Sequence, residues 1–300
     1  MTGSIEDERI KPWAAVLRVP TSKGLMFFKE PEPGLAHEAK LIEILAHRRS
    51  DLVTEVAFSD ERGRMLMRDG GDQLSSLPAD LRHWEEALPL YAELQIATMP
   101  DAGELLAIGT FDRRSAGLPG LYEELVGEAA PGLTDQEHAQ LRALIPEVRS
   151  AFEELGSSGV PETINNDDFT DGSVFVRDGA YRFLDWGDAC VSHPFITLTV
   201  TLRVIEIRHG LAPASAEINR ICDAYLEPFT VFDSRDELQR LAPAARRFGQ
   251  VCRVALRAEN PSWDDPEELG WSLRLLLDPE AWRSWSSDEA EQPPRQGPVS

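Results

Sequence analysis

Val, Leu and Phe crowd the segments Trp13 to Pro20 and Leu25 to Lys29, and Thr21-Ser-Lys-Gly24 between them supplies a glycine at a turn. The pattern predicts a β-hairpin near the start of the chain. Pro31 and Pro33 then interrupt it, after which Leu41, Ile42, Leu45 and Ala46 recur at helical spacing within Leu35 to Arg49. Two short β-like runs follow, Leu52 to Phe58 and Arg64 to Arg68, parted by Asp60-Glu-Arg-Gly63. They lead to Asp69-Gly-Gly71, whose two glycines suit a hinge. Beyond this point the period is mostly helical, over residues 79–99, 117–128, 134–155, 194–208, 214–227, 234–258 and 266–276, with one small β-hairpin at 174–184. Residues 284–300 are rich in Ser, Glu, Gln, Pro and Gly without periodicity and are expected to form a disordered tail. No internal repeat is visible. The expected fold class is α+β in two lobes, a small β-rich N-terminal lobe over 1–71 and a mainly helical C-terminal lobe over 72–283.

With 300 residues, 42% hydrophobic and 27% charged, the chain can bury a substantial core, which excludes disorder of the whole. Its net charge of −22 repels polyphosphate chains and argues against a nucleic-acid partner. The acid excess is uneven, net −2 over residues 1–75 and −20 over the remainder. Such a surface is either simply solvated or draws in a cationic substrate or metal ions. All four lysines, Lys11, Lys23, Lys29 and Lys40, fall in the first 40 residues, so chemistry that needs an amine has few candidates. No stretch approaches the about 18 uninterrupted apolar residues of a membrane span, and the opening residues lack a basic start followed by an apolar run. Neither a membrane partner nor export is expected. Cys190, Cys222 and Cys252 are far apart and form no Cys-x-x-Cys pair, as expected of reduced, mostly buried thiols in a cytoplasmic protein.

The segment richest in chemistry runs from Asn165 to Asp188. Asp178-Gly179 suits the tip of a two-residue type I′ turn, which pairs Arg177 with Ala180, Val176 with Tyr181 and Val174 with Phe183. Paired strands lie about 5 Å apart. Ser173 and Asp185 therefore meet at the open end of the hairpin, and Asp168 lies on the loop that enters it. Oxygen donors with no Cys or His beside them favour a hard cation, magnesium above all where phosphates complete the shell. The same acids would also serve as ordinary turn and capping residues.

Asn166-x-Asp168-x-x-x-x-Ser173, the hairpin, and then Leu184-Asp-Trp-Gly-Asp188 resemble the catalytic segment of the aminoglycoside phosphotransferase and choline kinase family, small-molecule phosphotransferases of protein kinase-like fold. The resemblance covers roughly residues 13 to 210. It implies that Asp168 accepts the proton of a substrate hydroxyl and that Asp185 holds magnesium, with Ser173 as a further ligand. It further implies that Lys29, ending Phe27-Phe28-Lys29, contacts the phosphates of ATP. Glu38 on the next helix would be its ion-pair partner, although Glu32 and Glu43 lie within reach of the same position. Met67 to Gly71, with Met67 and Asp69, would form the hinge that holds adenine. The activity implied is ATP- and magnesium-dependent phosphoryl transfer to a hydroxyl of a small molecule. The acidic C-terminal lobe points to a cationic acceptor such as an aminoglycoside or an amino-alcohol.

Three positions depart from the family pattern. Asn166 stands in place of a histidine that holds the loop in register, Thr170 replaces a residue that is often a second histidine, and Ser173 replaces an amide that holds a second metal ion. A hydroxyl is a weaker neutral ligand, so water or Asp171 would have to complete the shell. The glycine-rich phosphate loop is also missing, with Thr21-Ser-Lys-Gly24 the only turn before Lys29. These departures keep open a second reading, a catalytically impaired nucleotide-binding or regulatory protein. Motifs of P-loop NTPases, serine hydrolases and zinc proteases do not occur. A glycosidase could use the carboxylates, but that would leave Lys29 and the glycine hinge without a purpose.

Overall fold

Short turns and one helix organise the first 70 residues of the computed structural model, which describes residues 2–127, 130, 132–260 and 266–284. Strands β1 (Glu6–Lys11), β2 (Ala14–Thr21) and β3 (Gly24–Pro31) form an antiparallel meander, α1 (Glu38–Arg49) follows, and β4 (Val56–Ser59) and β5 (Met65–Arg68) complete a sheet of order β1-β2-β3-β5-β4. The expected hairpin is β2–β3, and the expected helix is α1. Ala39, Leu41, Ile42 and Leu45 of that helix share one buried core with Met65 and Met67 of the sheet. Strand β1 carries no apolar alternation, and all six of its residues are exposed. It is an edge strand that needs only backbone pairing with β2, so a search for periodic apolar positions passes over it.

Downstream the chain runs through β6 (Asp72–Gln73), α2 (Arg82–Thr98), α3 (Ala102–Ala107), β7 (Phe111–Arg113), α4 (Leu118–Leu125), α5 (Asp135–Ala143), α6 (Ile145–Gly156) and β8 (Thr163–Asn166). It continues through β9 (Val174–Arg177), β10 (Ala180–Phe183), β11 (Ala189–Ser192), α7 (Leu198–His209), α8 (Ala216–Leu226), α9 (Arg235–Phe248), α10 (Gln250–Glu259) and α11 (Pro266–Leu277). Two helices expected as single units are broken. The stretch 134–155 divides at Leu144, just ahead of Pro146, and 234–258 divides at Gly249. A Cβ at Gly249 would stand 2.3 Å from Thr199 Oγ1 and 2.7 Å from the Ala245 carbonyl, so the close approach of α7 to the bend requires glycine. Strands β7, β8 and β11, of three or four residues each, and the six-residue α3 are too short to register as periodic patterns. Ser284 closes a short 3-10 helix, and the rest of the expected tail, 285–300, lies outside the described residues.

Two small sheets frame the segment that carries the acids. The β9–β10 hairpin pairs Arg177 with Ala180, Tyr181 with Val176 and Phe183 with Val174, the register the turn predicts, with φ of 52° at Asp178 and 77° at Gly179. β6 adds to its other side, so residues 69–71 lead directly into this sheet. In the second sheet β11 pairs antiparallel with β8, Ala189 opposite Asn166, and parallel with β7. The loops 167–173 and 184–188 therefore each run between the same two ladders and emerge side by side. Beneath them Tyr91 stacks on Phe169 with ring centroids 4.0 Å apart and meets Phe183 edge-on at 5.3 Å. Such buried rings supply most of the apolar area that fixes a loop from below. The described cysteines form no disulfide; Cys190 and Cys252 are buried. Among the described residues no helix is long and apolar enough to cross a membrane.

Gly71 joins residues 69–70 to this framework. It sits at φ 116°, and a Cβ there would approach the Val176 carbonyl oxygen to 2.4 Å. Gly71→Ala is expected to lower unfolding stability by roughly 1–3 kcal/mol, through left-handed strain and a displaced β6–β9 pair, as read by urea denaturation. An unchanged midpoint would show that the backbone at Gly71 is not held by that contact.

Candidate active site

Lys29 is the buried centre of the site. Its position near the end of β3 brings the ammonium beneath the sheet, where Nζ donates to Glu38 Oε1 at 2.8 Å and to Asp185 Oδ1 at 2.7 Å. Of the three acids in reach on sequence grounds, Glu38 is the one that pairs with it. Burial pulls the lysine down, but the charges of Asp185 and Glu38 together hold its ammonium above the ordinary lysine range. Burial pushes Glu38 up against the pull of Lys29. The charge of Lys29, with help from Arg9, keeps the Asp185 carboxyl down at about 2.

Asp185 adopts a left-handed φ of 63°, uncommon for a residue with a Cβ. Hydrogen bonds fix both ends of the peptide group that follows it. Asn166 Nδ2 donates to the Asp185 carbonyl at 2.9 Å, and the Trp186 N–H donates to Glu38 Oε1 at 3.0 Å. Asn166 also accepts from the Asp168 N–H through Oδ1 at 3.1 Å, while its own N–H donates to Tyr91 Oη at 2.8 Å. The asparagine thus bridges the two loops, a register function available to an amide without a ring.

A cleft of about 220 Å³ opens above this framework, lined among others by Arg9, Trp13, Lys29, Asp168, Asp185 and Arg253. Ser173 also lines it, and its hydroxyl donates to the Asp168 carbonyl at 3.1 Å. Asp168 projects into the cleft with its side chain 48% exposed. The structure therefore brings together Lys29, Glu38, Asp168, Ser173 and Asp185. Met67 and Asp69 sit apart. Met67 is buried in the sheet opposite Phe27, and Asp69 accepts from the Gly71 N–H at 3.0 Å and pairs with Arg177 at 2.5 Å, tying residues 69–71 to β9. Asp171, considered as a further metal ligand, is paired with Arg208 at 2.5 Å. The turn facing the cleft is Pro12-Trp13, between β1 and β2; Thr21–Gly24 closes the far end of the next hairpin.

Arg253 of α10 also reaches the cleft, and no motif in the sequence marks it. Its nearly buried guanidinium lies 3.2 Å from Asp168 Oδ1, 3.2 Å from Asp188 Oδ2 and 3.6 Å from Asp167 Oδ2. Burial opposes its charge, but the three carboxylates hold it well above the usual arginine range. The break at Gly249 gives α10 its own direction, and no short-range pattern links residue 253 to residues 167, 168 and 188. Burial raises Asp167 to about 6 and Asp188 to about 7 against the pull of Arg253. Among the described residues no three acids, histidines or cysteines are placed to hold a metal by themselves. Asp185, with Ser173 and Asp188 nearby, is an oxygen donor set that suits a hard cation whose shell is completed by phosphate and water, the usual manner for magnesium.

The native protein holds the Asp167 proton more tightly than the unfolded chain does. Raising the pH from about 4 to about 6 therefore favours unfolding at this group. Asp167→Asn is expected to remove that part of the slope, roughly 1–3 kcal/mol across the window, in urea denaturation at a series of pH values. A variant with the wild-type slope would show that Asp167 is ionised throughout.

No protein-family model and no curated protein sequence matches the chain. Solved structures match it over nearly its whole length. The GDP complex of wild-type aminoglycoside 2'-phosphotransferase-IIIa is 15% identical, with a TM-score of 0.59 over 94% of this chain and 93% of that one. A choline/ethanolamine kinase family protein from Mesorhizobium loti is 16% identical, with a TM-score of 0.61 over 92% of this chain and 89% of its own. An ethanolamine kinase from Plasmodium vivax is 13% identical, with a TM-score of 0.63 over 94% and 85%. Likeness at these identities is likeness of fold, and the chain has the α+β, protein kinase-like fold that these small-molecule phosphotransferases share.

Proposed function

We propose that this protein transfers a phosphoryl group from ATP to a hydroxyl of a small molecule, with magnesium, in a cleft between a nucleotide-binding lobe over 1–71 and a helical lobe over 72–283. One observation carries the reading: Lys29, Glu38 and Asp185, from three separate segments, meet within 2.8 Å in a cleft that Asp168 also enters. The shared fold and the GDP complex of one structural neighbour support it.

ATP brings about four negative charges, which a fixed amine and a metal-binding carboxylate must meet. Lys29 would donate to the phosphates, held in direction by Glu38. Asp185 would hold magnesium, and Ser173, whose hydroxyl proton is engaged within its own loop, keeps lone pairs for the ion or its water. Magnesium, when bound, withdraws charge from the γ-phosphate. Asp168 would take the proton from the acceptor hydroxyl, with Arg253 keeping its carboxylate in position from one side. Met67 and Asp69 are assigned to the hinge side, where adenine would lie.

A second reading, a nucleotide-binding protein without transfer, is favoured by one feature. Both oxygens of Asp185 are engaged by cations of the chain itself, Oδ1 by Lys29 and Oδ2 by Arg9.

Thermal shift with ATP and with GTP, each with and without magnesium, is expected to give metal-dependent stabilisation that Lys29→Ala abolishes. Asp168→Asn is expected to keep that stabilisation and to lower turnover on a panel of hydroxyl acceptors by roughly 100- to 10,000-fold. Stabilisation without turnover on any acceptor would select the second reading. No stabilisation by either nucleotide would end both.

A further inference from the structure

Arg9 is a cation of the cleft to which phosphoryl transfer, as described, assigns no part. It belongs to the fully exposed edge strand β1, and its side chain is 44% exposed. Asp7 stands opposite Leu17 and Arg9 opposite Val16, so the ladder carries a bulge at Glu8. An uninterrupted ladder would set Glu8 opposite Val16; the bulge gives that place to Arg9. Val16 in turn stands opposite Lys29. Directly opposed residues project from the same face of a sheet, so Arg9 and Lys29 reach off one face, two strands apart. They arrive at the same carboxylate, Lys29 on Oδ1 at 2.7 Å and Arg9 on Oδ2 at 3.2 Å.

The two cations differ in their freedom to leave. Lys29 is buried and bound to Glu38, whereas the Arg9–Asp185 pair is open to water, where such pairs contribute little. The Pro12-Trp13 turn beside them lacks the glycine amides that would cradle phosphate. Pro12 has no N–H at all. A planar guanidinium matches two phosphate oxygens at once and would supply the missing donors.

We propose that Arg9 is a phosphate-binding residue that exchanges partners. In the nucleotide-free protein it covers the outer oxygen of Asp185. When a nucleoside triphosphate arrives with its metal, Arg9 releases that oxygen to the metal and donates instead to the terminal phosphates. No covalent bond changes, and Asp185 trades one cation for another. This rests on the reading of the cleft as a nucleotide site.

The test uses the full chain as wild type, Arg9→Ala and Arg9→Lys, and two probes. Binding of Mn2+ alone is followed by its electron paramagnetic resonance, and binding of a β,γ-imido ATP analogue with Mg2+ by calorimetry. Arg9→Ala is expected to bind free Mn2+ several-fold more tightly, since Asp185 loses a competing cation. It is expected to bind the metal–nucleotide about tenfold or more weakly, with Arg9→Lys intermediate. Opposite signs are the mark of exchange, because damage to β1 would weaken both. Unchanged nucleotide affinity in Arg9→Ala, or weaker binding of both probes, overturns the exchange alone. A wild-type chain that binds neither this analogue nor its GTP counterpart overturns the reading of the cleft as a nucleotide site and the exchange with it.

Discussion

A buried ammonium must be met by negative charge inside the protein, and everything around Lys29 follows from that requirement. Its two partners come from different directions, Glu38 from the helix after the sheet and Asp185 from a loop more than 150 residues later. Removing Lys29 would strand the buried Glu38, and removing either acid would leave the buried ammonium short of a partner. The N-terminal sheet, α1 and the 184–188 loop are therefore bound to one another by the same contact that defines the cleft. The left-handed backbone at Asp185 is tolerable because the peptide group that follows it is hydrogen-bonded at both ends, its carbonyl to Asn166 and its N–H to Glu38.

Charge within the cleft is organised independently of charge over the whole chain. The protein is strongly acidic, yet Arg9, Lys29, Arg253 and Arg257 line the cleft beside Asp168, Asp185 and Asp188. Arg253 allows three carboxylates to share a small volume, because one guanidinium offers several donors in a fixed plane. Elsewhere acids are paired with arginine at the surface, as Asp112 is with Arg114 and Glu237 with Arg240. The sign of the total charge is thus a poor guide to what the site attracts.

What could be read from the sequence is what short-range chemistry determines. Asp178-Gly179 permits one tight turn, and that turn fixes which residues of β9 and β10 face each other and so brings Ser173 next to the 184–188 loop. Lys29 stood out because lysine is rare in this chain and because Phe27 and Phe28 precede it. Arg253 could not be found in this way, since its partners are at least 65 residues distant and its direction depends on a helix break that the apolar period conceals. Arg9 was hidden for a different reason. A strand of charged residues has no periodic signature, and whether Glu8 or Arg9 stands opposite Val16 depends on a bulge that only the paired backbone reveals. Glycine marks the turn at Thr21–Gly24, whereas the turn at the cleft is built on Pro12 and Trp13 and carries no such mark.

The bulge in β1 has an effect beyond the direction of Arg9. The five-stranded sheet ends in two open edges, β1 and β4, and each carries an irregularity in its ladder, between Asp7 and Arg9 and between Val56 and Phe58. An outer strand with unpaired amides and carbonyls invites another polypeptide to add alongside, and Phe58, at 58% exposure, would reward such an addition. The irregular twist at both borders, and at β1 a row of charged side chains, make them poor templates for that growth. Whatever turns Arg9 toward the cleft therefore also makes the β1 edge a poorer template for an added strand.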